Sequence, residues 1–279
     1  MAIAELRETL GVLSRKPYLW IPGIVCGLFA SALWLILTIS GAFFASRLLI
    51  ISGLAILLFT TGMFWSIRND GGDIRTLLEG GVKYYFRALL PILVIIFTVI
   101  LVFVLIVITL TLAGITPDPV LMASVSVGIM IPSIILSFFC DTAAVFEDRG
   151  VFDAIRRSIE LVGSHLQEVI AFLAVCSVII FGVLFSLMIF WEAALYDRLE
   201  PLTHYTEAQI QDFTPDQLLA LIGPGGTWIT AGVLFIACLI LIPVLFAYKA
   251  CFFRYLAQNG IPIRQMTGEF DSKGRWYKY

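Results

Sequence analysis

Charged residues are scarce in this sequence of 279 residues. Asp, Glu, Lys and Arg together make up 14% of it, against about 25% in a typical soluble domain. Hydrophobic residues make up 60%, and the mean hydropathy is +0.98. This composition excludes an ordinary soluble domain and predicts an integral membrane protein that crosses the bilayer several times.

Signatures of catalysis and metal binding are missing as well. The sequence contains no HExxH, no GxSxG, no P-loop and no dinucleotide-binding glycine pattern. Its two histidines, His165 and His204, are too few for a histidine-rich metal centre, and its five cysteines form no CxxC pair. We therefore expect no metal, no cofactor and no nucleic-acid partner. An enzyme that acts on lipid through scattered Asp, Glu and Lys residues stays open, although no residue is singled out for that role.

Long apolar runs are the strongest positive feature. A helix needs roughly 20 mostly apolar residues to cross about 30 Å of hydrocarbon. These runs predict six transmembrane helices and leave little sequence for a soluble domain. The six runs are residues 18–44, 48–66, 88–112, 120–146, 169–191 and 228–255.

Basic residues are distributed unevenly over the segments between these runs. Of the eighteen Lys and Arg residues, only Arg47 and Arg198 fall on the side opposite to the two termini. Because loops rich in Lys and Arg stay in the cytoplasm, we expect a multi-pass protein of the cell membrane with both termini cytoplasmic. The first sixteen residues are amphipathic and the run that follows is too long for a signal-peptide core, so we expect no cleaved signal.

One sequence pattern occurs three times, before the first, third and fifth apolar runs. The segments AIAELRETLGVLSRK, GDIRTLLEGGVKYYFR and VFDAIRRSIELVGSH each place apolar residues three and four apart opposite a basic face, as in helices that lie on a membrane. The predicted fold is therefore all-α. It has six transmembrane helices as three hairpins, each preceded by a cytoplasmic interfacial amphipathic helix, in a single domain of residues 1–257. The apolar faces are Ile3, Leu6, Leu10 and Leu13; Ile74, Leu78, Val82 and Tyr85; and Val151, Ile155, Ile159 and Val162.

Two polar segments lie outside this repeat. The outer loop of residues 192–227 is acidic and carries start signals for two short helices, at Thr206 and at Thr214, where Gln217 completes a capping box. A solvated acidic loop is the main interpretation and a calcium site is the alternative, although the ligand spacing of a calcium loop is missing. The cytoplasmic tail of residues 258–279 mixes basic and aromatic residues, which suits anionic headgroups or a partner; a disordered end is the alternative.

A charged residue of each sign lies near the cytoplasmic end of an apolar run. Asp141 lies about 9 Å deeper than Glu147 and its neighbour Asp148, at 1.5 Å per helical residue, and Lys249 lies at a comparable depth in the sixth run. An ionisable residue in a span is a functional hypothesis when a partner can be named. We predict that Asp141 pairs with Lys249 and joins the two helices. A polar cytoplasmic cavity and a proton or ion relay are the alternatives.

Prolines and small residues mark further positions in the spans. Pro132 and Pro243 lie within the fourth and sixth runs, where each removes a backbone hydrogen bond and permits a kink. Gly23, Gly27 and Ser31 form a stripe of small residues on the first run, which predicts close packing against another helix. The pattern leaves open whether that helix belongs to the same chain.

The segment AAVFEDRGVFDAIRRSIELVGSH resembles a known family. Its Glu-Asp-x-Gly, followed by Ala-Ile-Arg-x-Ser and then by the next span, is similar to the membrane domain found beside glycerophosphodiester phosphodiesterases. Related six-span prokaryotic families of unknown function share this layout. The resemblance implies a six-helix prokaryotic membrane domain and no active site, because catalysis in that family resides in a separate soluble domain. The residues that carry it are Glu147, Asp148, Gly150, Ala154, Ile155, Arg156 and Ser158.

Three functions from different classes follow. The favoured one is a non-catalytic membrane module that organises lipids or partner proteins, with membrane lipids and a protein partner or a second copy of the chain as its partners. The second is a transporter or exporter component for a lipid-like or small hydrophobic substrate, and the third is a lipid-modifying intramembrane enzyme. The threefold repeat favours the first over the second, because many transporters are built from inverted pairs of repeats.

Overall fold

The protein is described by a computed structural model over residues 2–114, 118–206 and 213–259, and over residues 268–270 and 276–278 of the tail. The described chain is helical up to the tail, where two short strands pair antiparallel. This confirms the all-α prediction for the part before the tail. The helices are α1 Ala2–Arg15, α2 Ile21–Ser40, α3 Ala42–Arg68, α4 Ile74–Leu112, α5 Pro119–Leu136, α6 Cys140–Phe146, α7 Val151–Ser164, α8 Leu166–Ala194, α9 Tyr196–Leu199 and α10 Pro215–Asn259, with 3-10 turns at Pro17–Trp20 and Glu200–His204; the strands are β1 Gly268–Phe270 and β2 Trp276–Lys278.

Six helical segments of the described chain are long and apolar enough to cross a membrane, which confirms the predicted number of spans. Their ends differ from the prediction at three places. Gly41, with a φ of 78°, turns the chain directly from α2 into α3, so Arg47 lies within a helix instead of a loop. The fourth span consists of α5 and α6, separated by residues 137–139. The short helix that begins after Thr214 continues into the sixth span across Gly223.

The most extensive helix packing joins spans from different predicted hairpins. The first span, α2, packs along the last, α10, and α3 packs along α4. The sequence neighbours α2 and α3 also contact each other, as do α8 and α10. In contrast, α5 contacts α4 and α7 over short lengths and contains no buried residue. The first and last spans therefore hold the bundle together, and α5 lies at its margin.

Glycines that the sequence analysis did not single out permit the contact between α3 and α4. A Cβ atom on Gly62 would lie 2.1 Å from the backbone oxygen of Leu77, and one on Gly81 would lie 2.5 Å from the backbone oxygen of Leu58. Both distances are far inside van der Waals contact, so the two backbones touch, as in other membrane helix pairs with small residues at the interface.

The three amphipathic segments are helical, but the second is not separate from the span that follows it. α4 continues from Ile74 to Leu112, so no break divides the predicted interfacial helix from the third span. Half of the residues of the predicted apolar faces are exposed, among them Ile3 at 74% and Val82 at 68%, whereas Leu13 and Val162 are buried. α1 contacts the bundle through a face that combines the buried Thr9 with Leu13, which belongs to the predicted apolar face.

Burial is concentrated at one end of the bundle, formed by α1, the start of α4, α6, α7 and the end of α10, which we call the basic end. One cluster of buried apolar side chains surrounds Phe139, Phe172 and Phe252, and a second surrounds Phe64 and Tyr84. Away from the basic end, α4, α5 and α8 keep many large apolar side chains exposed. This distribution suits helices surrounded by lipid, because lipid tails are as apolar as the side chains they contact.

Replacing Gly62 with alanine is expected to destabilise the protein, because the new Cβ atom would overlap the Leu77 carbonyl oxygen. Overpacking of this kind typically costs about 1–3 kcal/mol. Gly53 lies in the same helix, and a Cβ atom there would meet nothing within 4 Å, so Gly53→Ala is the matched control and should be neutral or stabilising. Thermal unfolding in detergent compares the two variants. Equal stability of both would show that the α3 and α4 backbones do not touch.

Candidate functional site

The fourth span breaks where it approaches the basic end. α5 ends at Leu136 and α6 begins at Cys140, so the helical hydrogen-bond ladder is interrupted inside a membrane-spanning segment. The hydroxyl of Ser158, buried in α7, closes this interruption. It donates to the Leu136 carbonyl oxygen at 2.7 Å and accepts from the Phe139 N–H at 3.0 Å. Because unpaired backbone groups are costly away from water, this one side chain ties α7 to the break.

Just after the break, Asp141 lies opposite Lys249. Lys249 Nζ donates to both carboxylate oxygens of Asp141, at 2.7 and 2.9 Å, and each residue is only 8% exposed. Asp141 Oδ1 also accepts from the backbone N–H and the hydroxyl of Thr142, at 2.7 and 3.2 Å. The structure thus brings together the two residues that the sequence predicts to pair, and their contact joins the fourth span to the sixth.

An apolar groove is lined by Lys249 of this ion pair but not by Asp141. It has a volume of about 480 Å³, lies between α8 and α10, and ends at Phe138 and Lys249. The Lys249 ammonium nitrogen lies 4.5 Å from the centre of the Phe138 ring, within the range of a cation–π contact. Apart from one hydroxyl and one thiol, the remaining lining side chains are apolar: Phe172, Leu173, Cys176, Ser177, Ile180, Leu245 and Phe246.

Glu147 and Asp148 lie on the rim of the basic end and do not line the groove. Glu147 accepts from Arg157 at 2.9 Å and also from Arg149, while Asp148 accepts from Arg87. These ion pairs connect the segment after α6 to α7 and to α4. The Arg87–Asp148 pair is half exposed, and ion pairs at such positions typically contribute about 0–1 kcal/mol. The Glu147–Arg157 pair is half-buried and fixes the orientation of this segment against α7.

The stripe of small residues on α2 faces α10 of the same chain. A Cβ atom on Gly23 would lie 2.7 Å from Cδ of Pro243, and one on Gly27 would lie 2.8 Å from a backbone oxygen of α10. The hydroxyl of Ser31 donates to the Ala231 carbonyl oxygen at 2.7 Å. The stripe is therefore covered within the chain.

The predicted kinks at Pro132 and Pro243 look different in the structure. Pro132 lies one turn before the end of α5, and the helix ends after it at Leu136. In α10 the non-helical torsion angles lie at Gly223, with a φ of 61°, and not at Pro243. Pro243 instead packs against α2.

Polar residues of α1 are buried against the bundle, and the sequence analysis missed them. The Thr9 hydroxyl donates to the Glu5 carbonyl oxygen at 2.7 Å. Glu5 is 7% exposed, and one of its carboxylate oxygens has no hydrogen-bond partner among the described residues. The helical spacing of Glu5, Thr9 and Leu13 is the signal that could have identified this face. The more apolar face that includes Ile3 concealed it.

The outer loop of residues 192–227 forms the capping box predicted at Thr214. The Thr214 N–H donates to Gln217 Oε1 at 2.9 Å, and the Gln217 N–H donates to Thr214 Oγ1 at 3.4 Å. The helix predicted to start at Thr206 falls on residues 207–212, which lie outside the described residues. Within the described ranges, no group of three or more His, Cys, Asp or Glu side chains could hold a metal ion. The calcium alternative stays a prediction.

Breaking the buried ion pair is expected to destabilise the protein more when one partner is replaced than when both are. Asp141→Asn or Lys249→Met alone leaves a buried charge without its partner, at a cost of about 3–5 kcal/mol. The double variant leaves no charge and should cost less than either single change. Unfolding in detergent of the wild type and the three variants gives the interaction energy.

The control for this cycle is Glu79→Gln, which removes one partner of the exposed ion pair between Arg75 and Glu79. It should change the free energy of unfolding by less than about 1 kcal/mol. Strictly additive effects of Asp141→Asn and Lys249→Met would contradict the proposed structural role of their contact.

Ser158→Ala is expected to loosen the break in the fourth span, because it leaves the Leu136 carbonyl oxygen and the Phe139 N–H without their partner. The cost of such unsatisfied groups is about 1–3 kcal/mol. Hydrogen exchange at the Phe139 amide should also become faster. Ser133→Ala removes a hydroxyl that bonds within α5, to the Ile129 carbonyl oxygen, and should leave this exchange rate unchanged. Equal exchange in both variants would exclude the proposed closure.

A family model described as a domain of unknown function, DUF7847, matches residues 1–256, a range that contains the Asp141–Lys249 ion pair and the groove. No curated protein and no solved structure matches the chain. The match shows no link to the membrane domain beside glycerophosphodiester phosphodiesterases, so that resemblance stays a prediction. Because the family model covers most of its length, the chain belongs to the DUF7847 family.

Proposed function

We propose that this protein is a non-catalytic module of a prokaryotic cytoplasmic membrane that holds a lipid of the cytoplasmic leaflet by one acyl chain. The observation that carries the proposal is the apolar groove between α8 and α10, with the Asp141–Lys249 ion pair at its end. A pocket of several hundred cubic ångströms with mostly apolar walls and few polar groups is typical of a ligand site.

The depth of the groove favours an acyl chain as its occupant. Phe172 and Ile180 line it, and they lie about 9 and 21 Å along α8 from its first residue at 1.5 Å per residue. This interval of about 12 Å along the helix is shorter than the roughly 15 Å of hydrocarbon in one leaflet, which is half of a core about 30 Å thick. Acyl chains surround the helices at that depth, and an apolar gap left empty forfeits the dispersion contacts of its walls.

The charge distribution in the groove argues against the headgroup as the part that enters it. Lys249 is already bonded to both carboxylate oxygens of Asp141, so the end of the groove carries no net charge. An anionic headgroup would have to displace a carboxylate that Thr142 also holds. An acyl chain meets no such competition.

The polar side chains of the groove do not form a catalytic constellation. The Ser177 hydroxyl donates to the Leu173 carbonyl oxygen of its own helix at 2.9 Å, and it is therefore not bonded to a general base. A serine needs such a base to act as a nucleophile. We accordingly rank a lipid-modifying enzyme third.

The amphipathic segments support an interfacial position for the basic end. Ile3 and Phe152 are 74% and 75% exposed and lie on α1 and α7, close to most of the Lys and Arg residues of the chain. Exposed apolar side chains beside a basic face are typical of helices at a membrane surface, and basic segments stay in the cytoplasm. We therefore propose that α1, the start of α4 and α7 lie at the cytoplasmic surface, that the spans form three hairpins, and that both termini are cytoplasmic.

A transporter or exporter component is the second candidate, because the groove ends at Lys249, which is paired with the ionisable Asp141. The two functions differ in the role of the charges on Asp141 and Lys249. A module that holds an acyl chain depends on the shape of the groove, so the Asp141→Asn/Lys249→Met double variant should still retain its lipid. A carrier driven by protonation of the pair would lose transport in the same variant.

Filling the groove is expected to abolish lipid retention. Cys176→Phe enlarges a side chain that lines the groove, whereas Val178→Phe adds the same ring nearby on α8 at a site that is 72% exposed. Native mass spectrometry after extraction in a mild detergent should show one retained lipid on the wild type and on Val178→Phe, and none on Cys176→Phe. Fragmentation of the retained species identifies the lipid.

Both variants should unfold near the wild-type temperature, which separates loss of the site from loss of the fold. Equal lipid retention by the three proteins would contradict the groove as the binding site. A stoichiometric protein partner that Cys176→Phe loses, without any change in bound lipid, would replace the lipid by a partner protein as the occupant.

A further inference from the structure

A second cavity lies at the basic end, beside α1. It has a volume of about 590 Å³ and is formed by α1, the end of α3 and the last turns of α10. α1 has three distinct faces here. The face of Thr9 and Leu13 packs on the bundle, the face of Ile3 and Leu10 is apolar and exposed, and the third face lines the cavity, which we call the α1 pocket.

Charged side chains dominate the lining of the α1 pocket, and the basic ones outnumber the acidic ones by four to two. This excess distinguishes the pocket from the groove, whose one charged lining residue, Lys249, is neutralised by Asp141. The basic residues are Arg7, Arg15, Lys16 and Arg254, and the acidic residues are Glu8 and Asp70.

Both acidic residues of the α1 pocket already have a basic partner. Glu8 accepts from Arg254, which connects α1 to α10. Asp70 lies 3.4 Å from the ammonium nitrogen of Lys16, which connects the end of α3 to the segment after α1. These two ion pairs leave two arginines of the pocket uncompensated.

The uncompensated arginines, Arg7 and Arg15, flank Gly11 on one face of α1, because residues four apart lie one above the other on a helix. Neither has an acidic partner among the side chains that the structure describes. A Cβ atom on Gly11 would meet nothing within 4 Å. The missing side chain therefore leaves open space at Gly11, on the helix face that carries the two arginines.

We propose that the α1 pocket binds a phosphate-type oxyanion between Arg7 and Arg15. A guanidinium group is permanently charged and donates parallel hydrogen bonds in a planar fork that fits phosphate oxygens. A carboxylate of the protein would compete with phosphate for these two arginines. The two acidic residues of the pocket do not, because they bond to Lys16 and Arg254. The phosphate belongs either to a lipid headgroup or to a soluble phosphate compound. The proposal does not rest on the lipid groove, since the two sites share no lining residue.

The first arm of the test uses the full chain in nanodiscs of phosphatidylcholine, with inorganic pyrophosphate as the soluble probe. Bound ligand raises the unfolding midpoint by mass action, so titration gives an apparent affinity. Arg7→Gln and Arg15→Gln should each weaken that affinity about five-fold, the factor expected for one basic residue at an anionic site. Gly11→Phe should abolish binding by filling the space, whereas Gly11→Ala should retain it.

Lys83→Gln is the matched control, because it removes one exposed basic charge on the start of α4 and outside the pocket. The second arm replaces part of the phosphatidylcholine by phosphatidic acid and omits pyrophosphate. Stabilisation by pyrophosphate whose apparent affinity falls about five-fold in Arg7→Gln and is unchanged in Lys83→Gln identifies a soluble phosphate ligand. The same pattern with phosphatidic acid alone identifies a headgroup.

Two results would overturn the proposal: no stabilisation of the wild type in either arm, or equal stabilisation of the wild type, Arg7→Gln and Gly11→Phe. Cys176→Phe should bind pyrophosphate or phosphatidic acid as the wild type does. Failure of the lipid groove therefore leaves this experiment unaffected.

Discussion

A helix that breaks inside a membrane must find partners for the backbone groups that it frees, and this constraint organises the basic end. At the break between α5 and α6, Ser158 supplies the partner of the Leu136 carbonyl oxygen and of the Phe139 N–H, whereas other N–H groups of the break bond to nearby backbone oxygens. α7 therefore cannot detach without leaving these groups unpaired in an apolar environment. The break also sets where the first turn of α6 begins, and Asp141 in that turn meets Lys249 of the last span.

Some helix pairs of the bundle pack closely and others do not, and this difference leaves room for the groove. No hydrophobic effect drives helices together in hydrocarbon, so small residues that let backbones approach carry the association. Gly62 and Gly81 supply this for α3 and α4, and Gly23 and Gly27 supply it for α2 and α10. In α5, a Cβ atom on Gly128 would meet nothing within 4 Å, and no residue of this helix is buried. α5 stays at the margin, and the facing sides of α8 and α10 remain open to an occupant.

Features that depend on local composition were predictable from the sequence, and features that depend on distant partners were not. The six spans, the capping box at Thr214 and the approach of Asp141 to Lys249 each follow from an apolar run, a short motif or a shared depth. The break at residues 137–139 has no such signal, because its segment is as apolar as its surroundings and its partner Ser158 lies 19 residues beyond Phe139.

The faces of α1 were misjudged for another reason. In a soluble protein the more apolar face packs on the core, whereas in a membrane protein lipid competes for that face, and here Ile3 is exposed while Thr9 is buried.

The cation that lines the groove is buried and paired, whereas two arginines of the α1 pocket are exposed. This difference determines which kind of ligand each site favours. Lys249 is buried at a depth where an unpaired charge is costly, so it is neutralised by Asp141 and the groove discriminates by shape and apolar area. Arg7 and Arg15 are exposed and hydrated, need no partner, and leave the α1 pocket to discriminate by charge. α10 contributes to both sites, since Lys249 and Arg254 lie about 7.5 Å apart along its axis. The two sites therefore adjoin along the same last turns of α10 but share no lining residue, so a change in one lining leaves the other lining intact.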